Sequence, residues 1–148
     1  MFWEIVRVLA CSFVAAIGFG ALLHAPQKAL CWGGVIGAAG YLCYWLLMTY
    51  STNESAAMFV GALFAATCAQ VAARGLKMIA TVFVTIAIIP QVPGLGLYRA
   101  MSAFAQGDMA QGASVAMHTM ALILMIALGI AMGTALFGAG RRFKRRMK

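Results

Sequence analysis

Long apolar stretches alternate with short polar clusters along this chain of 148 residues, and the spacing predicts membrane-spanning helices. About 20 apolar residues cross a hydrocarbon core at helical rise. The first such stretch runs from about Ile5 to Leu23 and ends at His24-Ala25-Pro26. The second runs from about Ala29 to Met48, with Trp32, Tyr41, Tyr44 and Trp45 as candidate interfacial rings, and the polar segment Thr49 to Ser55 follows it. The third covers about Ala56 to Ala73 and is closed by Arg74-Gly75-Leu76-Lys77. The fourth runs from about Met78 to Gln106 with an interruption, and the fifth from about Ala113 to Phe137. The second is the least apolar, diluted by Gly33, Gly34, Gly37 and Gly40; a four-span alternative leaves it at the interface.

The interruption in the fourth stretch is the most informative local pattern. Pro90, Pro93, Gly94 and Gly96 fall within seven residues, Pro90-Gln91-Val92-Pro93-Gly94-Leu95-Gly96. Proline removes a backbone N–H and its ring clashes with the preceding turn; glycine loses backbone entropy. In hydrocarbon each freed backbone group costs several kcal/mol, so such a break is expected only where protein, water or a ligand covers it. Broken helices of this kind line substrate sites in secondary transporters. Lys77 to Pro90 is ~20 Å at helical rise, which puts the break somewhat beyond the midplane.

Charge orients the spans. The only acids are Glu4, Glu54 and Asp108, and six of the eleven Lys/Arg lie in the last eight residues, Arg141 to Lys148. With five spans, the N-terminus outside and the C-terminus cytoplasmic, Lys28, Arg74, Lys77 and the tail are all inside, which is nine of the eleven basic residues. Arg7 and Arg99 are the exceptions, and Arg7 has Glu4 at i−3 for a local ion pair. Removing the second span would put Lys28 and the Arg74/Lys77 loop on opposite faces. The expected organisation is one all-α integral membrane domain, residues 1–140, and a basic cytoplasmic tail, 141–148. A net charge of +8 with 64% hydrophobic residues and mean hydropathy +0.94 favours a tail on anionic lipid headgroups, not nucleic acid. The first stretch lacks a preceding basic region and a small-x-small site, so it reads as a span and not a cleavable signal.

Composition narrows the chemistry. Cys11, Cys31, Cys43 and Cys68 fall in apolar stretches with no CxxC pair and no nearby ligands, so they read as packing residues; no metal or cofactor is expected. No Asp or Glu lies within a span interior, which argues against a membrane-embedded enzyme. Small residues at four-residue spacing, Gly33/Gly37, Gly61/Ala65 and Gly129/Gly133, allow close helix approach within the chain or against a partner.

The segment Ile88-Ile89-Pro90-x-x-Pro93-Gly94, leading into Tyr98-x-Ala100-Met101, resembles the threonine/serine exporter family. So does Ala25-Pro26-x-x-Ala29-Leu30-x-Trp32 with Gly37 and Gly40 after it. The resemblance runs from about Leu22 to the tail. It is to the C-terminal half of the single-chain exporters, a half that exists elsewhere as a separate small subunit. It implies a bacterial inner-membrane efflux carrier for small amino acids or small carboxylates, working with a larger multi-span subunit. A homo-oligomer is the alternative assembly, and an accessory subunit without a substrate site is the alternative function.

The candidate pathway residues follow from the break. A half-helix restarting near Leu95 points N–H groups carrying roughly half a positive charge into the gap, where a carboxylate is favoured. Pro90, Pro93, Gly94 and Gly96 then line the site, or form a packing kink. Arg99 offers a bidentate carboxylate contact, or snorkels to headgroups. Tyr98 offers a hydroxyl, or belongs to the interfacial belt. Thr81 and Thr85, at i,i+4 on one face, lead toward the break or bond their own backbone. His118, the only histidine well inside a span, shuttles a proton or is a neutral hydrogen-bonded side chain.

Overall fold

The structure, a computed structural model, describes residues 2–50 and 53–146, with side chains over 3–50 and 53–138. Met147 and Lys148, the end of the expected tail, lie outside the described residues. The elements are α1 (Phe2–Leu22), α2 (Gln27–Tyr50), α3 (Glu54–Gly75), α4 (Ala80–Ile88), a 3₁₀ turn (Ile89–Gln91), α5 (Gly94–Ala105) and α6 (Met109–Arg146). No strand occurs among the described residues. Four helices, α1, α2, α3 and α6, are long and apolar enough to cross a membrane. Residues Ala80–Gln91 and Gly94–Ala105 form a pair bent by 57°, a fifth candidate if counted as one. α6 continues without interruption to Arg146.

Helix ends follow from local chemistry. Asn53 Oδ1 accepts the N–H of Ala56 at 3.3 Å and caps α3; Asp108 Oδ1 accepts the N–H of Gln111 at 3.0 Å at the start of α6. Glu54 also sits in the first turn of α3, where the helix dipole favours an acid. α1, α3 and α5 stop in the same way. The N–H of Ala25 reaches Gly20 O while that of His24 reaches Ala21 O; Met78 and Lys77 repeat the pattern on Ala73 and Arg74, and Asp108 and Gly107 on Ala103 and Phe104. The pivot residue has positive φ each time: His24 at 55°, Lys77 at 52° and Gly107 at 83°.

The glycines that dilute α2 are its packing surface. The helix is 24 residues long and packs against α1, α3 and α4, so it lies within the bundle and not along its face. A Cβ on Gly33 would lie 2.8 Å from the Ile86 side chain, and one on Gly37 3.1 Å from the carbonyl of Ala87. These contacts seat α4, whose Phe83, Ile86 and Ala87 are buried. α3 and α6 pack through a second small-residue seam. A Cβ on Gly129 would lie 2.7 Å from Phe59 O, and one on Gly133 3.0 Å from the Ala66 Cβ. At the far end the Arg74 guanidinium lies 4.1 Å over the Phe137 ring. Contacts that advance together along both helices mean that α3 and α6 run parallel. α5 packs mainly against α6, as an antiparallel neighbour: Gly96 faces Thr119 and Phe104 faces Gly112.

Candidate functional site

The break begins at Pro90 and is completed at Val92-Pro93. Val92 is extended, at φ −64° and ψ 125°, the conformation imposed on a residue before proline. Pro93 follows at φ −77° and ψ 62° and provides no side-chain cap. The N–H of Val92 reaches Ile89 O at 3.2 Å, that of Gly94 reaches Val92 O at 2.8 Å, and that of Leu97 reaches Pro93 O at 3.3 Å. The first-turn N–H groups of Leu95 and Gly96 have no acceptor within their own helix. α5 therefore presents uncapped donors at its start.

These donors border a cavity of about 680 Å³ between the break and helices α2, α3 and α6. Of the residues expected from sequence, Pro90, Pro93, Gly94, Gly96, Arg99 and His118 all line it. Three do not. Tyr98 is 69% exposed and opens, with Arg99, on a neighbouring cavity of about 560 Å³ near Asp108 and Gln111. Thr81 and Thr85 border a separate cavity of about 280 Å³ beside His24 and Pro26. The Thr85 hydroxyl donates to Thr81 O at 2.9 Å, so it is turned onto its own helix.

Other elements contribute side chains that the sequence pattern did not single out. Tyr41 and Tyr44 of α2, read as interfacial rings, border the cavity, their centroids 5.5 Å apart. Glu54 comes from the first turn of α3 and lies 3.6 Å from Nε2 of His118. The two side chains are 35% and 62% exposed, so the pair sits at the mouth and attracts only when the imidazole is protonated. Ser114 and Thr119 of α6 complete the polar lining; the Thr119 hydroxyl donates to Val115 O at 2.8 Å and abuts Gly96. Among the described residues no group of three or more His, Cys, Asp and Glu could hold a metal ion.

Gln91 is the most unusual member. It is 1% exposed, and neither its Oε1 nor its Nε2 has a protein hydrogen-bond partner. The amide slots into a notch between α2 and α3: a Cβ on Gly40 would lie 2.8 Å from Nε2, and one on Gly61 3.1 Å from Oε1. A buried amide left unpaired costs about 1–3 kcal/mol. It was present in the proline motif as a spacer position, and its polarity at membrane depth was the signal that could have found it.

The arrangement is that of a polytopic helical membrane protein with a broken helix opening on a cavity whose wall carries several polar groups. The chain matches the family model described as Threonine/Serine exporter, ThrE, over residues 8–136, and it belongs to that family. The match extends the resemblance upstream into α1. The family comprises transporters, not enzymes. No solved structure matches the chain.

Proposed function

We propose that this chain is one half of a secondary efflux carrier, exporting a small amino acid or small carboxylate across the bacterial inner membrane together with a larger membrane subunit. The supporting observation is the uncapped start of α5 at the wall of the 680 Å³ cavity, with Arg99 one turn on. Two N–H groups at the positive end of a helix dipole and a guanidinium form a carboxylate site in a low-dielectric setting. In this reading the N-terminus is outside, the C-terminus is cytoplasmic and the bent α4–α5 pair is one span of five. The basic end of α6 rests on anionic headgroups. The apolar flanks of so small a bundle are covered by the partner subunit or by a second copy.

The test is the triple variant Pro90→Ala, Pro93→Ala, Gly94→Ala. Each change restores helix propensity by ~1–3 kcal/mol, and a Cβ on Gly94 meets nothing within 4 Å. A continuous helix would bury the donors of Leu95 and Gly96 in their own hydrogen-bond ladder. The expected outcome is a membrane-inserted chain that has lost export. Wild-type export by this variant would reduce the break to a packing kink and leave an accessory role for the chain.

A further inference from the structure

We propose that Gln91 is the residue that selects an amino acid over a plain carboxylate. The inference rests on the carrier reading above and goes beyond it by assigning the second substrate contact. The donors of Leu95, Gly96 and Arg99 can hold a carboxylate, but none can accept a hydrogen bond. A zwitterion brings an ammonium group that needs acceptors. The Gln91 amide begins three residues before α5, belongs to the same cavity wall, and has an oxygen that no protein group uses. It is also held in place: Gly40 and Gly61 leave room for the amide where any Cβ would press on it. A fully buried, unpartnered amide kept in a glycine notch gains nothing for the fold, because an apolar side chain of equal volume would fill that notch without an unmet hydrogen bond. Oε1 has no partner in this structure and gains one when the substrate's ammonium donates to it, while the Nε2 hydrogens remain free to donate to the substrate's own oxygens.

The other acceptors on this wall stand elsewhere: Ser114 and the hydroxyl-bearing Tyr41 and Tyr44 are more exposed than Gln91. The Thr119 hydroxyl donates to Val115 O and lies against Gly96. Glu54 stands at the mouth beside His118. Gln91 is 1% exposed, so it meets the substrate after solvent has been excluded, where one hydrogen bond discriminates most strongly.

The experiment compares wild type with Gln91→Met in cells deleted for the chromosomal copy and otherwise carrying the native membrane partners. Efflux is measured for L-threonine and for 3-hydroxybutyrate, which lacks only the amine. Thermal stability of the extracted chain is measured with and without threonine. Wild type is expected to favour threonine by tenfold or more. The Q91M variant is expected to melt at or above the wild-type temperature, to lose stabilisation by threonine, and to export the two compounds at rates within about twofold of each other. A folded Q91M variant that keeps the wild-type preference overturns the assignment while leaving the carrier reading intact. Failure of Q91M to accumulate in the membrane also overturns it, since the amide would then be a structural requirement. A wild type that exports neither compound nor any amino acid of a wider panel removes the carrier reading itself.

Discussion

Arg99 stands between two cavities, one at the break and one beside Asp108 and Gln111. As a substrate ligand it would use two parallel N–H groups on a carboxylate; as an anchor it needs only a charge on a long stem. Lysine preserves the second role and removes the first. Arg99→Lys is therefore expected to cut the initial export rate about tenfold at unchanged membrane abundance, the loss of roughly one charge-assisted hydrogen bond. Equal rates would make Arg99 an anchor. The prolines and glycines of this site were legible in the sequence because backbone restriction is local chemistry. Gln91 lay in the same motif and was marked only by its polarity, while Glu54, Tyr41 and Tyr44 were not legible, because their membership of the cavity depends on which helices meet. Glu54 and His118 are far apart in the chain and 3.6 Å apart in space. Thr81 and Thr85 show the converse. Their shared helix face was readable, but nothing in the period says which cavity that face borders.

At the scale of elements, apolar length located α1, α2, α3 and α6, and proline chemistry located the bend. The ends were less legible where the chain departs from usual residue choices. Gly107 takes the left-handed C-terminal position that glycine favours, but His24 and Lys77 take the same position with side chains, at a steric cost of about 1–2 kcal/mol. Low apolar content in α2 was ambiguous for a related reason. Hydropathy records what glycine lacks, while packing depends on the space it leaves. That distinction can be tested on two glycines in different helices. Gly129→Ala would place a Cβ 2.7 Å from Phe59 O and 2.9 Å from the Ala62 Cβ, contacts that rigid helix backbone cannot easily relieve. A loss of about 1–3 kcal/mol is expected, read as a lower melting temperature of the extracted chain. Gly18→Ala meets nothing within 4 Å and should be neutral or stabilising by up to about 1 kcal/mol through helix propensity. If both variants melt alike, the α3–α6 seam is not the close contact described.

At the scale of the whole molecule, charge and packing bear on the same question, the number of crossings. α3 and α6 are parallel neighbours, with Gly129 beside Phe59 and Arg74 beside Phe137. Two parallel spans must begin on the same side of the bilayer, so the chain from Gly75 to Met109 has to return across it. Only the bent α4–α5 pair is available to do so. A re-entrant pair would instead leave α3 and α6 antiparallel. The same arrangement gathers Lys28, Arg74 and Lys77 toward one end of the bundle, and puts Glu54 and Asp108, at the starts of α3 and α6, toward the other. In the proposed topology the positive-inside rule would place the Lys28 end on the cytoplasmic side. Single cysteines at Gln27 and Gln111, both exposed, test this in a chain whose four native cysteines have been replaced. An impermeant thiol reagent added to intact cells is expected to label position 111 and to reach position 27 only after permeabilisation. Labelling of both from the same side would mean that α4 and α5 do not complete a span, and the substrate cavity would then have to be sought away from a helix that crosses the membrane.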